Sequence, residues 1–459
     1  MKRLLLKYLV ACAAAFVLCG CSLYTRYARN ADELPLDGLF GETATADSTT
    51  LADISWRAFF TDVQLQRLIE RGLENNADLR TASLRTEQAE AALKAARLGY
   101  YPTLNIAPTA SWALHGFDTQ SGSWQLPAQI SWEIDAAGRI RNRKLAAVAA
   151  REQAIADCQY VRTRLIASIA NSYYTLLMLD SQLEISRTTS DNWRENVRIM
   201  RAMKEAGMTN EASVSQTEAN SCAIEASLYD LRRQIRDVET ALSLLLGEAP
   251  HTIERGTLEG QTLREDLLTG VPAQLLENRP DVRSAELVLE QAFCNVNLAR
   301  AAFYPSLSLG GTLGWMNNGT AIGSPAQFLL SLAGSLLQPV FTGGANRARL
   351  KIALAQQEEA RIAFVQTLLA AGGEVNDALE QCLTARGKSD VRRRQIAALE
   401  SAVNATQQLM RYSDKSYTYL EVLTSQQNLL QAQLSQVADR FEGIQGMINL
   451  YQALGGGRE

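Results

Sequence analysis

The stretch LENNADLRTA at residues 73–82 returns, little changed, as LENRPDVRSA at 276–285, an offset of 203 residues. The register then holds without a gap. Gln88 falls on Gln291, Ala96 on Ala299, Arg97 on Arg300, and Tyr101-Pro102-Thr103-Leu104 on Tyr304-Pro305-Ser306-Leu307. A similarity that keeps step this long marks an internal duplication, so the chain reads as two similar halves.

Each half changes period once. In TLNIAPTASWAL (103–114), Leu104, Ile106, Pro108, Ala110, Trp112 and Leu114 fall on one side, while Asn105, Thr109 and Ser111 fall on the other. SWQLPAQISWEID (123–135) alternates in the same way, and the polar HGFDTQSGS lies between the two runs. Period-2 alternation around a polar turn predicts a strand pair over about 103–114 and 123–135. The second half predicts another pair over about 306–316 and 326–340, with Leu307, Leu309, Leu313 and Trp315 on the apolar side.

Long helices follow each pair. Residues 139–206 hold neither Pro nor Gly, and 345–412 hold no Pro and Gly only at 372, 373 and 387. At 1.5 Å per residue, such a run reaches roughly 100 Å. Returning helices are expected over about 208–246 and 417–452. The last carries a seam at 420, 423, 427, 430, 434, 437, 441, 444, 448 and 451, interrupted only by Gln427. Steps of 3 and 4 bury a helix against a partner helix. The expected organisation is a leader 1–20, an extended segment 21–55, a first repeat 56–246, a linker 247–279, a second repeat 280–452 and a tail 453–459. The fold class is mixed and mainly α.

Four amphipathic strands could form a small sheet on helices in a soluble protein. Their length, the Trp residues near their ends and the leader favour a membrane instead. Open strand edges are not tolerated in hydrocarbon, so four strands crossing a bilayer require other copies. Three copies give a barrel of twelve.

The leader is explicit. MKRLLLKY is basic and LVACAAAFVL is an apolar run too short to span a bilayer, which together read as a secretory signal. Leu18-Cys19-Gly20-Cys21 resembles a bacterial lipobox, which implies a covalent lipid on Cys21; the alternative is an ordinary secretory signal with an incidental cysteine. Ser22, where Asp would imply inner-membrane retention, points to the outer membrane, and several acyl chains anchor firmly. Cys158, Cys222, Cys294 and Cys382 are scattered singly and read as apolar helix residues, not a disulfide framework.

Composition excludes other classes. The chain has net charge −4, or −7 without Lys2, Arg3 and Lys7, which gives no footing for nucleic acid. Its two histidines, His115 and His251, sit in no HExxH, and neither GxSxG nor a phosphate-cradling GK[ST] loop occurs, so no catalytic residues and no metal ligands are expected. Met200, Met203 and Met208 could suggest soft-metal handling, but three Met near a helix end also serve as packing.

The ordered set LLENRPDVRSAE, FYPSLSL, QPVFTGG (338–344) and YLEVLTSQQNLL (419–430), with WEIDAAGRIR (132–141) as first-half counterpart of the glycine turn, resembles the TolC-type outer-membrane factor family, in particular its lipidated efflux members. The resemblance covers almost all of residues 50–452. It implies a homotrimer whose twelve-strand transmembrane β-barrel, four strands per chain, continues into a twelve-helix periplasmic α-barrel. It also implies docking to a periplasmic adaptor and an inner-membrane pump, and passage of small toxic solutes, drugs or metal ions. The adaptor-docking tips would be Ala206, Gly207 and Met208 in the first half and Asp414, Lys415 and Ser416 in the second, with Lys415 standing where relatives carry Gly. The periplasmic aperture would lie at Leu420, with Thr424 where relatives often carry Asp; Glu421 or Asp414 could supply charge instead. Apart from lipid, no cofactor is implied. A protein-secretion duct of the same fold and a non-conducting lipoprotein tether are the competing functions.

Overall fold

The computed structural model describes residues 27–28, 54–115, 119–261, 279–317, 326–412 and 419–457. Cys21, the leader and the second tip at Asp414, Lys415 and Ser416 lie outside these residues. The elements in order are helices α1 (Trp56–Phe59), α2 (Val63–Asn75) and α3 (Ala77–Leu98), then strands β1 (Thr103–Ile106), β2 (Thr109–His115) and β3 (Thr119–Ile134). Helices α4 (Arg139–Glu205), α5 (Glu211–Leu245) and α6 (Pro280–Ala301) follow. Strands β4 (Ser306–Met316) and β5 (Gln327–Leu337) and helices α7 (Ala345–Tyr412) and α8 (Tyr419–Ala453) complete the chain. The chain is therefore mixed and mainly helical.

Two compact units are present. Among the described residues, the first draws on the stretches Met1–Leu34, Leu84–Ala156 and Arg283–Gln366. It contains one antiparallel sheet in which β1 and β2 both pair with β3, β3 with β4, and β4 with β5. The sequence suggests one unbroken strand over 103–114; the structure divides it at Ala107-Pro108. Pro108 has no N–H to give the ladder, so β1 and β2 run end to end along β3 and the sheet stays four strands wide. The helical part of this unit is laced by polar contacts. Thr86 Oγ1 donates to the Ala154 carbonyl at 3.2 Å, Gln291 Nε2 to Gln153 Oε1 at 2.7 Å, and Asp135 accepts the Ile140 and Arg141 N–H groups at 2.9 and 2.8 Å. Asp135 thereby satisfies two of the open donors at the start of α4.

Among the described residues, the second unit draws on the stretches Pro35–Ser83, Asp157–Val282 and Thr367–Glu459. Leu65, Leu68, Ile69 and Gly72 form the buried stripe of α2 at steps of 3, 1 and 3. The stripe meets α4 closely: a Cβ on Gly72 would lie 2.4 Å from Ile169 Cδ1. Phe59 stacks on Tyr451 with centroids 4.4 Å apart, and the Tyr451 hydroxyl donates to the Ile54 carbonyl at 3.0 Å. The glycines after α8 are buried instead of trailing into solvent. Gln159 Nε2 and Thr163 Oγ1 donate to the Gly457 and Gly456 carbonyls, both at 2.9 Å.

The doubled phrase has a counterpart in side-chain chemistry. Asn76 and Arg279, equivalent at the 203-residue offset, each secure the end of the returning helix in their own half. Asn76 Nδ2 donates to the Leu245 carbonyl at 2.9 Å, and Arg279 Nη1 to the Ala453 carbonyl at 2.8 Å. The two helix ends also match. Gly247 and Gly455 follow them with φ of 72° and 76°, and Glu248 and Gly456 donate back to the Ser243 and Tyr451 carbonyls.

Candidate functional site

Three surfaces carry the chemistry. The first is the sheet. Register places Leu104, Ile130, Leu332 and Gly311 in one transverse row, and Leu126, Trp315 and Phe328 in another, all on the same face. That face stays exposed within one chain: Leu332 is 83% and Leu336 71% exposed. Trp315 and Phe328 pack edge to face at 5.9 Å, and Trp132 Nε1 donates to the Tyr100 carbonyl at 2.9 Å. The opposite face bears Asn105, Gln125, Gln129, Ser131, Ser308, Thr312, Ser331 and Ser335. Its charge among the described residues is Glu133, which Arg139 meets at 3.6 Å. In water, an apolar face of this size would be covered; facing lipid, it needs no cover.

The second surface is the first hairpin tip. Gly207 adopts φ 72° after α4, its N–H bonds the Lys204 carbonyl at 2.9 Å, and Met208 N–H reaches the Met203 carbonyl at 2.8 Å. This is a Schellman closure, and it requires a residue that tolerates positive φ. No atom lies within 4 Å of a Cβ built on Gly207, so conformation and not crowding selects glycine. Asn210 restarts the chain by accepting the Ser213 N–H at 3.0 Å at the head of α5. Met208 is left 71% exposed at the turn, whereas Met200 is fully buried, so the Met residues do not share one surface. Arg194 and Glu225 bridge the arms at 3.1 Å, with Arg201–Glu218 and Lys204–Glu211 nearer the tip. All are exposed pairs and hold register more than they stabilise.

The third is the start of α8. Leu420 lies in its first turn, and Glu421 and Thr424 are both exposed. Glu421 also suits the positive end of the helix dipole. Along the seam, Ile444, Ile448 and Tyr451 are buried, while Leu430, Leu434, Val437 and Phe441 remain half-buried in one chain.

Sequence reasoning missed a polar belt around α4. Asp62 accepts the Tyr173 hydroxyl at 2.6 Å and Gln261 Nε2 at 2.7 Å, and Arg255 bridges Asp180 and Glu239, the latter at 2.7 Å. Burial, and then the bond to Asp62, push the Tyr173 phenol above its ordinary value. Hydrogen bonding to Asp180 raises the Arg255 guanidinium against the opposing effect of burial. Arg279 is 4% exposed and held by Asp281, Glu374 and the Ala453 carbonyl. Burial acts to lower its pKa, but the paired carboxylates raise it. The only signal for Arg279 was its place in the doubled phrase. Among the described residues no helix is long and apolar enough to cross a membrane, and no three His, Cys, Asp or Glu side chains group as metal ligands.

A two-faced sheet with lipid-compatible exposure, in a chain whose strand pairs are each followed by long helices, is what an outer-membrane channel protein carries. The family model described as outer membrane efflux protein matches residues 68–248 and 271–456, and the chain belongs to that family. It is 28% identical to cation efflux system protein CusC of Escherichia coli O6:H1, over 96% of this chain and 97% of that protein. It is 27% identical to the probable outer membrane lipoprotein SilC of Salmonella typhimurium, over 98% of each. Among solved structures, the outer-membrane channel OprN superposes with TM-score 0.84 at 26% identity, over 95% of this chain and 99% of that one. The family consists of channels and not enzymes, and the protein is an outer-membrane exit duct for efflux.

Proposed function

We propose that three copies of this chain close a twelve-strand barrel in the outer membrane, continued in the periplasm by a tunnel of twelve helices. The single observation that carries this is the sheet: one apolar exposed face, one polar face, and pairing among the described residues that leaves β5 on one edge and β1 and β2 on the other. Those edges must be met in hydrocarbon, and other copies of the same sheet can meet them. The half-buried seam of α8 supports a further helix packing on it.

On this reading residues 56–246 and 280–452 are the repeats, 247–279 joins them, and 21–55 leads away from a signal peptide at 1–20. Acyl chains on Cys21 tether the duct, a role supported by the lipoprotein named among its relatives. Ala206, Gly207, Met208, Asp414, Lys415 and Ser416 meet a periplasmic adaptor, and Leu420, Glu421 and Thr424 ring the aperture. An inner-membrane pump selects the solute and the duct conducts it. CusC is named for cations, so metal ions are one class of cargo.

The test is native mass spectrometry of the detergent-purified mature protein, followed by planar-bilayer recording. An acylated trimer with discrete conductance steps is the expected result. A folded monomer would leave the strand edges unmet and sink the proposal, and a silent acylated trimer would return the tether.

A further inference from the structure

Both long helices begin with cations. Arg141, Arg143 and Lys144 stand in the first turns of α4, and Arg347, Arg349 and Lys351 in those of α7; neither first turn holds an acid. The N-terminus is the positive end of a helix dipole, so cations there work against the helix. The placement recurs in both halves. Aligning Gly138 with Gly344, the positive-φ residues that precede the two helices, brings Arg141 onto Arg347 and Arg143 onto Arg349. No Asp or Glu occurs from 136 to 151 or from 337 to 357. Along the chain the nearest acids before α4 are Glu133, which Arg139 meets at 3.6 Å, and Asp135, which accepts the N–H groups of Ile140 and Arg141. A feature retained twice against local helix energetics answers to something outside the helix.

Geometry says what lies beside it. Lys144 Nζ sits 5.9 Å from the centroid of the Tyr100 ring, and the Tyr100 carbonyl receives the indole N–H of Trp132. Trp132 belongs to the apolar face, opposite Leu309. Lys144 of the first cluster thus adjoins the apolar face of the sheet through two aromatic residues. In the second half the apolar surface runs on through Val340 and Phe341, 92% and 89% exposed, and Arg347, Arg349 and Lys351 follow, all exposed. Apolar face, aromatic residues and then cations is the order in which a bilayer presents hydrocarbon, interface and headgroup.

We propose that this basic girdle binds the headgroups of anionic phospholipids in the periplasmic leaflet of the outer membrane, and so fixes the height of the barrel in the bilayer. The inference rests on the reading that the apolar face meets lipid.

The experiment uses the full mature protein in mixed micelles containing phosphatidylglycerol or phosphatidylethanolamine, with retained lipid counted by native mass spectrometry. Wild type should retain phosphatidylglycerol over phosphatidylethanolamine by roughly fivefold or more, less as salt rises. Inorganic phosphate should not displace the lipid. The triple variant Lys144→Gln/Arg347→Gln/Arg349→Gln should lose the preference, while Arg198→Gln/Arg233→Gln should keep it. If the Gln variant does not assemble, Arg347→Lys/Arg349→Lys should assemble and retain the preference.

Equal retention of the two lipids by wild type overturns the proposal. So does a preference that survives the triple substitution, displacement by free phosphate, or an altered ion selectivity with lipid retention unchanged, which would place the cations in the lumen. Wild-type conductance is recorded in parallel. Its absence would count against the channel itself, whereas its presence with no lipid preference would count against the girdle alone.

Discussion

Replacing Arg279 by Met should destabilise the protein more than any single loss among its exposed ion pairs. The guanidinium side chain is 5% exposed. It makes a two-pronged contact to Asp281 at 3.0 and 2.7 Å, reaches Glu374 at 2.6 Å, and donates to the Ala453 carbonyl at 2.8 Å. Methionine fills similar volume but donates nothing. The Ala453 carbonyl then stays buried without this donor, at about 1–3 kcal/mol. Breaking a buried pair costs about 3–5 kcal/mol, but that figure must be discounted here. Glu374 is 59% exposed and regains water, and Asp281 is 23% exposed and keeps the Val282 N–H at 2.9 Å. The net expectation is roughly 3 kcal/mol. Asn76→Ala removes the equivalent bond to the Leu245 carbonyl and a cap on Leu79 N–H, with no charge involved, and should cost roughly 2 kcal/mol. Arg198→Met, whose side chain is 80% exposed, should stay within about 0.5 kcal/mol of wild type. The assay is thermal unfolding of the three variants in one detergent at one protein concentration, because the midpoint of any assembly of copies depends on concentration. If Arg279→Met melts with Arg198→Met, or above Asn76→Ala, the buried-anchor reasoning fails.

Two further outcomes follow from the same environments. Burial raises the thiol pKa of Cys158, and pushes those of Cys294 and Cys382 up to about 11, whereas Cys222 is exposed; at pH 7.5 a thiol of pKa 11 is thiolate in about one molecule in three thousand. Of these four, a maleimide should therefore label Cys222 first in the native protein and Cys158, Cys294 and Cys382 only after denaturation, as peptide mapping would show, and any of those three reacting as fast as Cys222 would refute the burial. The Tyr173 phenol is held above the ordinary value near 10 by burial and then by Asp62, so the native state keeps a proton that the unfolded chain releases. Its contribution to stability is present below about pH 10 and is lost as the pH rises beyond it. Tyr173→Phe should flatten that alkaline decline, seen as melting midpoints from pH 9 to 11.5, and parallel slopes for the two proteins would count against it.

The sequence by itself determined the repeat, the kinds of element and their order. The doubled phrase set the two halves in register, period 2 marked the strands, and long runs without Pro marked the helices, because each is a local property of consecutive residues. It also determined the glycine turn at Gly207, whose positive φ is a backbone requirement with a compositional signature. What only the tertiary structure decided depends on residues far apart in the chain. The split at Ala107-Pro108 is defined against the β3 ladder, since a missing N–H matters only opposite an acceptor. The anchors at Asn76 and Arg279 bond carbonyls 169 and 174 residues away. Within the doubled phrase Asn76 and Arg279 stand out only as a mismatch, and nothing there says that both tie down a helix end. The Asp62–Tyr173–Gln261 belt was equally hidden, for a hydrogen bond between side chains 111 and 199 residues apart leaves no period to read. Local pattern carries backbone geometry; distant partners for buried polar groups exist only once the chain has folded.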